Sequence, residues 1–314
     1  MRRAQLQHPM NWILILFAGF FFLLLFVAIA NNVTRTAQTT DDVITVSRIT
    51  SSLEQTRASP GTRYELQLNN LETSCADVFT LEFSGQLEPL RGHPIFAQRT
   101  LDGTTTMFSE QLRIDKPYTT ITYLYTQDTT LYLSQDLTIN TRNYLTERFR
   151  NVQLFDQDDL PSSFSGTKTI TVFHNDLPDS WDGVSLRSGQ DFKAISITSL
   201  NSGTATYMDS TYIEYPSSEF LLAAIISPDK QTYDCGVRLA EQRVQFTAKL
   251  LLNRTQQLRE HHNTPLCTNY YQQAEDALIG LTNIDLSQSN AISQARIDLR
   301  YTNTRLAANS CPET

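Results

Sequence analysis

From Trp12 to Ala30 the chain reads WILILFAGFFFLLLFVAIA, an apolar run without a single charge. As a helix rising about 1.5 Å per residue, this stretch measures roughly 28 Å, close to the hydrocarbon thickness of a bilayer. A helix also satisfies every backbone group internally, as lipid requires. Arg2 and Arg3 precede the run, whereas Thr34, Arg35, Asp41 and Asp42 follow it without a basic cluster. The positive-inside bias therefore predicts residues 1–11 in the cytoplasm, a single transmembrane helix over 12–30, and residues 31–314 outside, so that the membrane is the first expected partner. Two other readings stand beside this one. Ala28-Ile29-Ala30 has the A-x-A form of a signal-peptide cleavage site. Arg2-Arg3 also fits a pilin-type signal cut between Ala4 and Gln5, although Gln7, His8 and Pro9 interrupt the apolar pattern such helices keep. All three readings place most of the chain outside the cytoplasm.

Charge narrows the partners. Lys and Arg total 25 against 33 Asp and Glu, and the only charges in residues 1–30 are Arg2 and Arg3. An acidic domain repels phosphates, so nucleic acid is excluded as a partner. Glycine occurs only 11 times, and no glycine-rich phosphate loop is present. With 40% apolar and 18% charged residues, the chain has the means to bury a core.

Residues 31–61 are rich in Thr and Ser and end in the turn signal Ser59-Pro60-Gly61, which predicts a stalk. Its VITVSRI segment leaves helix and extended chain both open. From Tyr64 to about Ile226 the pattern is that of strands: Tyr64, Leu66 and Leu68 alternate with polar neighbours. Val78–Phe83, ITYLYTQDTTLYL (121–133) around a Gln127-Asp128 turn, KTITVF (168–173) and KAISITSL (193–200) continue it. These short runs predict a mainly antiparallel sandwich or barrel-like domain over 62–232. Beyond Cys235 the period lengthens. Val237, Ala240, Val244, Phe246, Leu250 and Leu251 predict a helix over 236 to about 259, Cys267 to about Ile279 a second, and the stripe Ile292, Ala295, Leu299, Thr302 and Leu306 a third. The fold class expected is α+β, with a three-helix region over 233–314.

Cys75, Cys235, Cys267 and Cys311 all lie beyond the apolar run, and none forms a C-x-x-C pair. An even number in an exported chain predicts two disulfides. Three antiparallel helices put the start of the second beside the end of the third. That geometry pairs Cys267 with Cys311 and leaves Cys75 for Cys235, tying sheet to helices.

The usual catalytic and metal signatures, H-E-x-x-H, G-x-S-x-G and the Walker loop, are absent. His261-His262 has adjacent side chains that diverge at a helix end, where a partial positive charge is favourable in any case. Asp156, Asp158 and Asp159, and Asp176, Asp179 and Asp182 before Gly183, offer hard oxygens of the kind Ca²⁺ takes, but match no EF-hand loop. Solvated acidic loops are the ordinary explanation. His174 near Asp176 has the form of an acid/base pair without a nucleophile. The reading therefore assigns no catalytic residue, cofactor or metal. Tyr123, Tyr125 and Tyr132 are expected in sheet packing. Asn253-Arg254-Thr255 is a glycosylation sequon on the helical tail, better placed than Asn32 beside the apolar run.

The order Cys75…Phe83…HPIFAQRTLDGTTTMFSEQLRIDKPYTTITYLYTQDTTLYL (93–133), YDCGVRLAEQRV (233–244), Cys267 and Cys311-Pro312 resembles a group of uncharacterised membrane-anchored proteins of small-genome archaea. The resemblance implies an uncleaved anchor, an aromatic strand block and a cysteine-bearing helical tail, and supplies no site residues. The expectation is a non-catalytic, membrane-anchored binding or scaffolding protein with a protein partner in the cell envelope. Two rival readings are an extracytoplasmic hydrolase acting on glycan or peptide through carboxylates such as Asp156 or Asp182, and a pilin-like filament subunit.

Overall fold

The structure is a computed structural model that describes residues 20–29, 46–83, 86–178, 181, 185, 188–262 and 264–314. Met1–Ser51 and Ser52–Thr314 form separate compact units. In the first, residues 20–29 are helical and exposed. Among the described residues no helix is long and apolar enough to cross a membrane. The transmembrane helix expected over 12–30 is thereby corrected. The membrane as partner and the single-pass placement of 1–11 and 31–314 fall with it. Residues 1–19 and 30–45, which carry both cleavage sites and Asn32, lie outside the described residues.

Of the expected stalk, residues 46–58 form a helix, α1, and residues 31–45 lie outside the described residues. In the second unit β1 (Arg63–Cys75), β2 (Phe79–Phe83), β3 (Gln86–Leu90), β4 (Ile95–Ala97), β5 (Thr100–Arg113) and β6 (Pro117–Thr126) form one six-stranded sheet, ordered β3-β2-β1-β5-β6-β4. Its pairs are antiparallel except β4 with β6. A bulge between Leu68 and Leu71 bends β1. It is held where Asn70, at φ 46°, donates its N–H to Asp102 Oδ1 at 3.1 Å.

The second sheet takes β7 (Thr129–Ser134), β8 (Asn151–Phe155), β9 (Lys168–His174), β10 (Asp191–Ile197), β11 (Gly203–Tyr207) and β12 (Tyr212–Tyr215), in the order β12-β11-β10-β9-β7-β8. Strands β8, β7, β9 and β10 are parallel, and only β11 and β12 are antiparallel. Parallel neighbours need a crossover. For β7 and β8 this is α2 (Ile139–Thr146), capped by Thr138.

The expected antiparallel sandwich or barrel is corrected on two counts: four of the six strands of the second sheet lie in a parallel set, and a helix is buried between the sheets' strands. That helix, α3 (Ser218–Ile226), packs on β4 and β6 of the first sheet and β12 of the second, and Phe220 to Ile226 are all buried. A helix apolar on every side can only sit inside. The segment 121–133 is likewise no hairpin, because β6 ends one sheet and β7 enters the other. Gln98 bridges this crossing: its Oε1 accepts from Thr126 N at 3.0 Å and its Nε2 donates to Thr129 Oγ1 at 2.8 Å.

Three helices follow, α4 (Lys230–His261), α5 (Pro265–Thr282) and α6 (Ser293–Ala308). The first is longer than its apolar pattern, since Asp229 caps it by accepting Thr232 N at 2.8 Å. Cys75 bonds to Cys235 and Cys267 to Cys311, the pairing the antiparallel-helix argument gives, and among the described residues no cysteine is free.

Candidate functional site

Because β9 and β10 are parallel and paired from Lys168 and Asp191 onward, both strands begin at one end of the second sheet. The antiparallel β11 finishes there with Tyr207, and Met208 and Asp209 follow. Gln98–Thr100 leads into β5, and Ile226–Asp229 joins α3 to α4. These segments line a cleft of about 560 Å³. Three cations, Arg99, Lys168 and Lys193, share it with three carboxylates, Asp191, Asp209 and Asp229.

Lys193 occupies the core-facing register of β10, in line with the buried Ile195 and Ile197. Its Nζ donates to Ala224 O at 2.7 Å, to Ile225 O at 2.8 Å and to Ser227 O. A helix leaves its last carbonyls without internal partners, and this ammonium fills them. The same Nζ lies 4.7 Å from the centre of the Tyr207 ring, and Tyr207 OH donates to Ala224 O at 3.1 Å. Burial pushes the Lys193 pKa down to about 7, while Asp229 and Asp191 push it back up. Burial also lowers Lys168, against Asp128, Asp191 and Asp102, and its Nζ donates to Thr100 O.

Two of the acids, Asp229 and Asp209, are engaged as well. Burial raises the Asp229 carboxyl, but hydrogen bonds from Thr232 and from Arg99, whose Nη2 is 2.8 Å away, together hold it below the usual carboxylate range. Thr211 does the same for the exposed Asp209, donating its N–H to Oδ1 at 2.9 Å. A general acid needs a raised pKa, so both are shifted in the wrong direction for that role. Lys193 likewise spends its three N–H bonds on the backbone. The cleft's cations are tied to the fold, and its exposed rim includes Met208, 49% exposed, and Arg99, whose side chain is 69% exposed.

The residues singled out in the sequence are not brought together. Asp156, Asp158 and Asp159 form an exposed turn in which Asp158 N donates to Asp156 Oδ1 at 3.1 Å. Asp176 is exposed, and Asp179 and Asp182 lie outside the described residues. His174 is set by backbone bonds to Gln157, its N–H donating to Oε1 at 3.0 Å. His261 ends α4 and His262 caps it, both exposed. Among the described residues no group of three or more His, Cys, Asp or Glu is placed to hold a metal. Tyr123 and Tyr125 are core residues whose hydroxyls donate to Glu219 O at 2.9 Å and Arg148 O at 2.7 Å. Tyr132 points to the other face of its sheet, against Phe164. Asn253 is exposed on α4. The cleft had one sign in the sequence, a lysine in line with Ile195 and Ile197 on the inward face of a strand.

The chain matches no protein-family model, no curated protein and no solved structure.

Proposed function

We propose that the Ser52–Thr314 unit is a non-catalytic binding or scaffolding domain that works in an oxidising compartment outside the cytoplasm and engages a protein partner. One observation carries the non-catalytic reading: in this cleft, Arg99, Lys168 and Lys193 are each held by Asp229 or by backbone carbonyls. Such groups fix structure and are not poised on a substrate. The two disulfides support the compartment, since reducing cytosol does not keep structural bridges. The test places a photo-crosslinking side chain at Met208 in the full chain and irradiates it in the cells that make it. The expected product is one cross-linked protein that, once purified, binds the wild-type chain and not Asp209→Lys. Turnover of a glycan or peptide panel that Asp191→Asn abolishes would overturn the proposal in favour of a hydrolase.

A further inference from the structure

The exposed face of α4 carries Phe246 and Leu250, each 56% exposed, and Asn253 follows on the same stripe. Positions four and seven residues apart share a helix face, so the three residues are in line. The Asn253 backbone is about 4.5 Å along the axis from Leu250 and about 10.5 Å from Phe246. Side chains on a helix lean toward its N-terminus, which aims the Asn253 amide back over Leu250 and Phe246. Asn253 opens the sequon Asn-Arg-Thr, whose Thr255 is buried and donates Oγ1 to Leu251 O at 2.9 Å. The threonine is thus fixed inward by the fold while the asparagine is presented outward.

We infer that Asn253 carries an N-linked glycan whose first sugars lie over Phe246 and Leu250 and shield them from water. The inference rests on the extracytoplasmic placement proposed above, because sequon glycosylation takes place on exported chains. In the transfer, Asn253 Nδ2 bonds to the anomeric carbon of a polyprenyl-phosphate-linked oligosaccharide. The bond from that carbon to the phosphate oxygen breaks, the lipid phosphate leaves with the electron pair, and the amide gives up one proton. The apolar faces of the sugar rings match the two side chains, and their hydroxyls face solvent.

The full chain, purified from the cells that make it, is digested without reduction and analysed by mass spectrometry. The expected result is a hexose- or hexosamine-containing adduct on the Asn253 peptide alongside intact Cys75–Cys235 and Cys267–Cys311 peptides. Asn253→Gln removes the adduct and increases binding of an apolar dye, and Phe246→Ser with Leu250→Gln in that background reverses the increase. A bare Asn253 in disulfide-bonded protein overturns the glycan and leaves the compartment standing. A bare Asn253 with four free thiols overturns both. An adduct whose loss leaves dye binding unchanged overturns the shielding role.

Discussion

Arg259 Nη1 stands 2.8 Å from Glu275 Oε2 between α4 and α5, with the arginine side chain 32% exposed and the glutamate only 5%. The second oxygen, Oε1, has no hydrogen-bond partner. Burial raises the Glu275 carboxyl above its ordinary range, and Arg259 pulls it back. Removing the cation leaves an enclosed carboxylate uncompensated, which costs about 3–5 kcal/mol. Arg259→Met is therefore expected to lower the denaturant midpoint strongly at neutral pH, and Glu275→Gln far less. The pH dependence has a definite sign. A carboxyl raised in the folded state loses stability as pH climbs above its unfolded value, so Arg259→Met should recover part of its loss near pH 4.5. Equal losses at both pH values would reject the account.

Lys193 has the opposite linkage. Its pKa falls from 10.5 in the unfolded chain to about 7 in the fold, so between those values the unfolded state holds more protons. Stability from this group is then gained as pH rises from about 7 toward 10.5, and below 7 the full cost of burying the ammonium remains. Thermal melting of wild type and Lys193→Met should accordingly diverge in favour of wild type between pH 7 and 9.5. Parallel curves would show that the carbonyls of Ala224, Ile225 and Ser227 keep the ammonium charged throughout.

The helical tail was legible in the sequence because its apolar spacing is regular over long runs, and the cysteine pairing followed from the antiparallel order of those helices. Strands β1, β2, β6, β7, β9 and β10 were recognisable one by one, whereas β3, β4, β5, β8 and β12 were not singled out and no pairing was legible. Gln127-Asp128 has the composition of a hairpin turn, and nothing local reports that Gln98, some thirty residues earlier, stitches β6 to β7 across two sheets. Helix α3 was hidden for another reason. FLLAAII (220–226) is apolar on every face, so it has no periodicity to distinguish a buried helix from a buried strand. The apolar run before Ala30 shows the converse: hydropathy alone predicted a membrane span that is not found among the described residues. The cleft stayed unseen because its walls come from five separate stretches that only the fold assembles.

Gly236 lies on α4 next to Cys235, where the helix approaches the first sheet. A Cβ there would stand 2.4 Å from Cε1 of the fully buried Phe96, whose ring sits 6.0 Å from that of Tyr233. Helical backbone conformation suits alanine, so intrinsic propensity favours Gly236→Ala by up to about 1 kcal/mol. Overpacking a core ring costs about 1–3 kcal/mol and should win. The expected result is a lower melting temperature for Gly236→Ala, recovered in part by adding Phe96→Leu. A stabilised single variant would mean that α4 can move away from Phe96 at little cost.

The two disulfides should differ in what their loss costs. Cys75–Cys235 closes a separation of 160 residues and Cys267–Cys311 one of 44. A cross-link acts chiefly by shrinking the unfolded ensemble, and its effect grows with the logarithm of the loop. Removing either bridge is expected to cost about 2–4 kcal/mol, and removing the longer about 1 kcal/mol more than the shorter. Packing sharpens the contrast, because Cys75–Cys235 joins the end of β1 to α4, whereas Cys267–Cys311 holds the helical tail to itself around Tyr271 and Leu306. Urea unfolding of Cys75→Ala with Cys235→Ala, against Cys267→Ala with Cys311→Ala, measures the difference directly. A larger loss from the 267–311 pair would show that the tail's own packing, rather than loop closure, governs the stability of this unit.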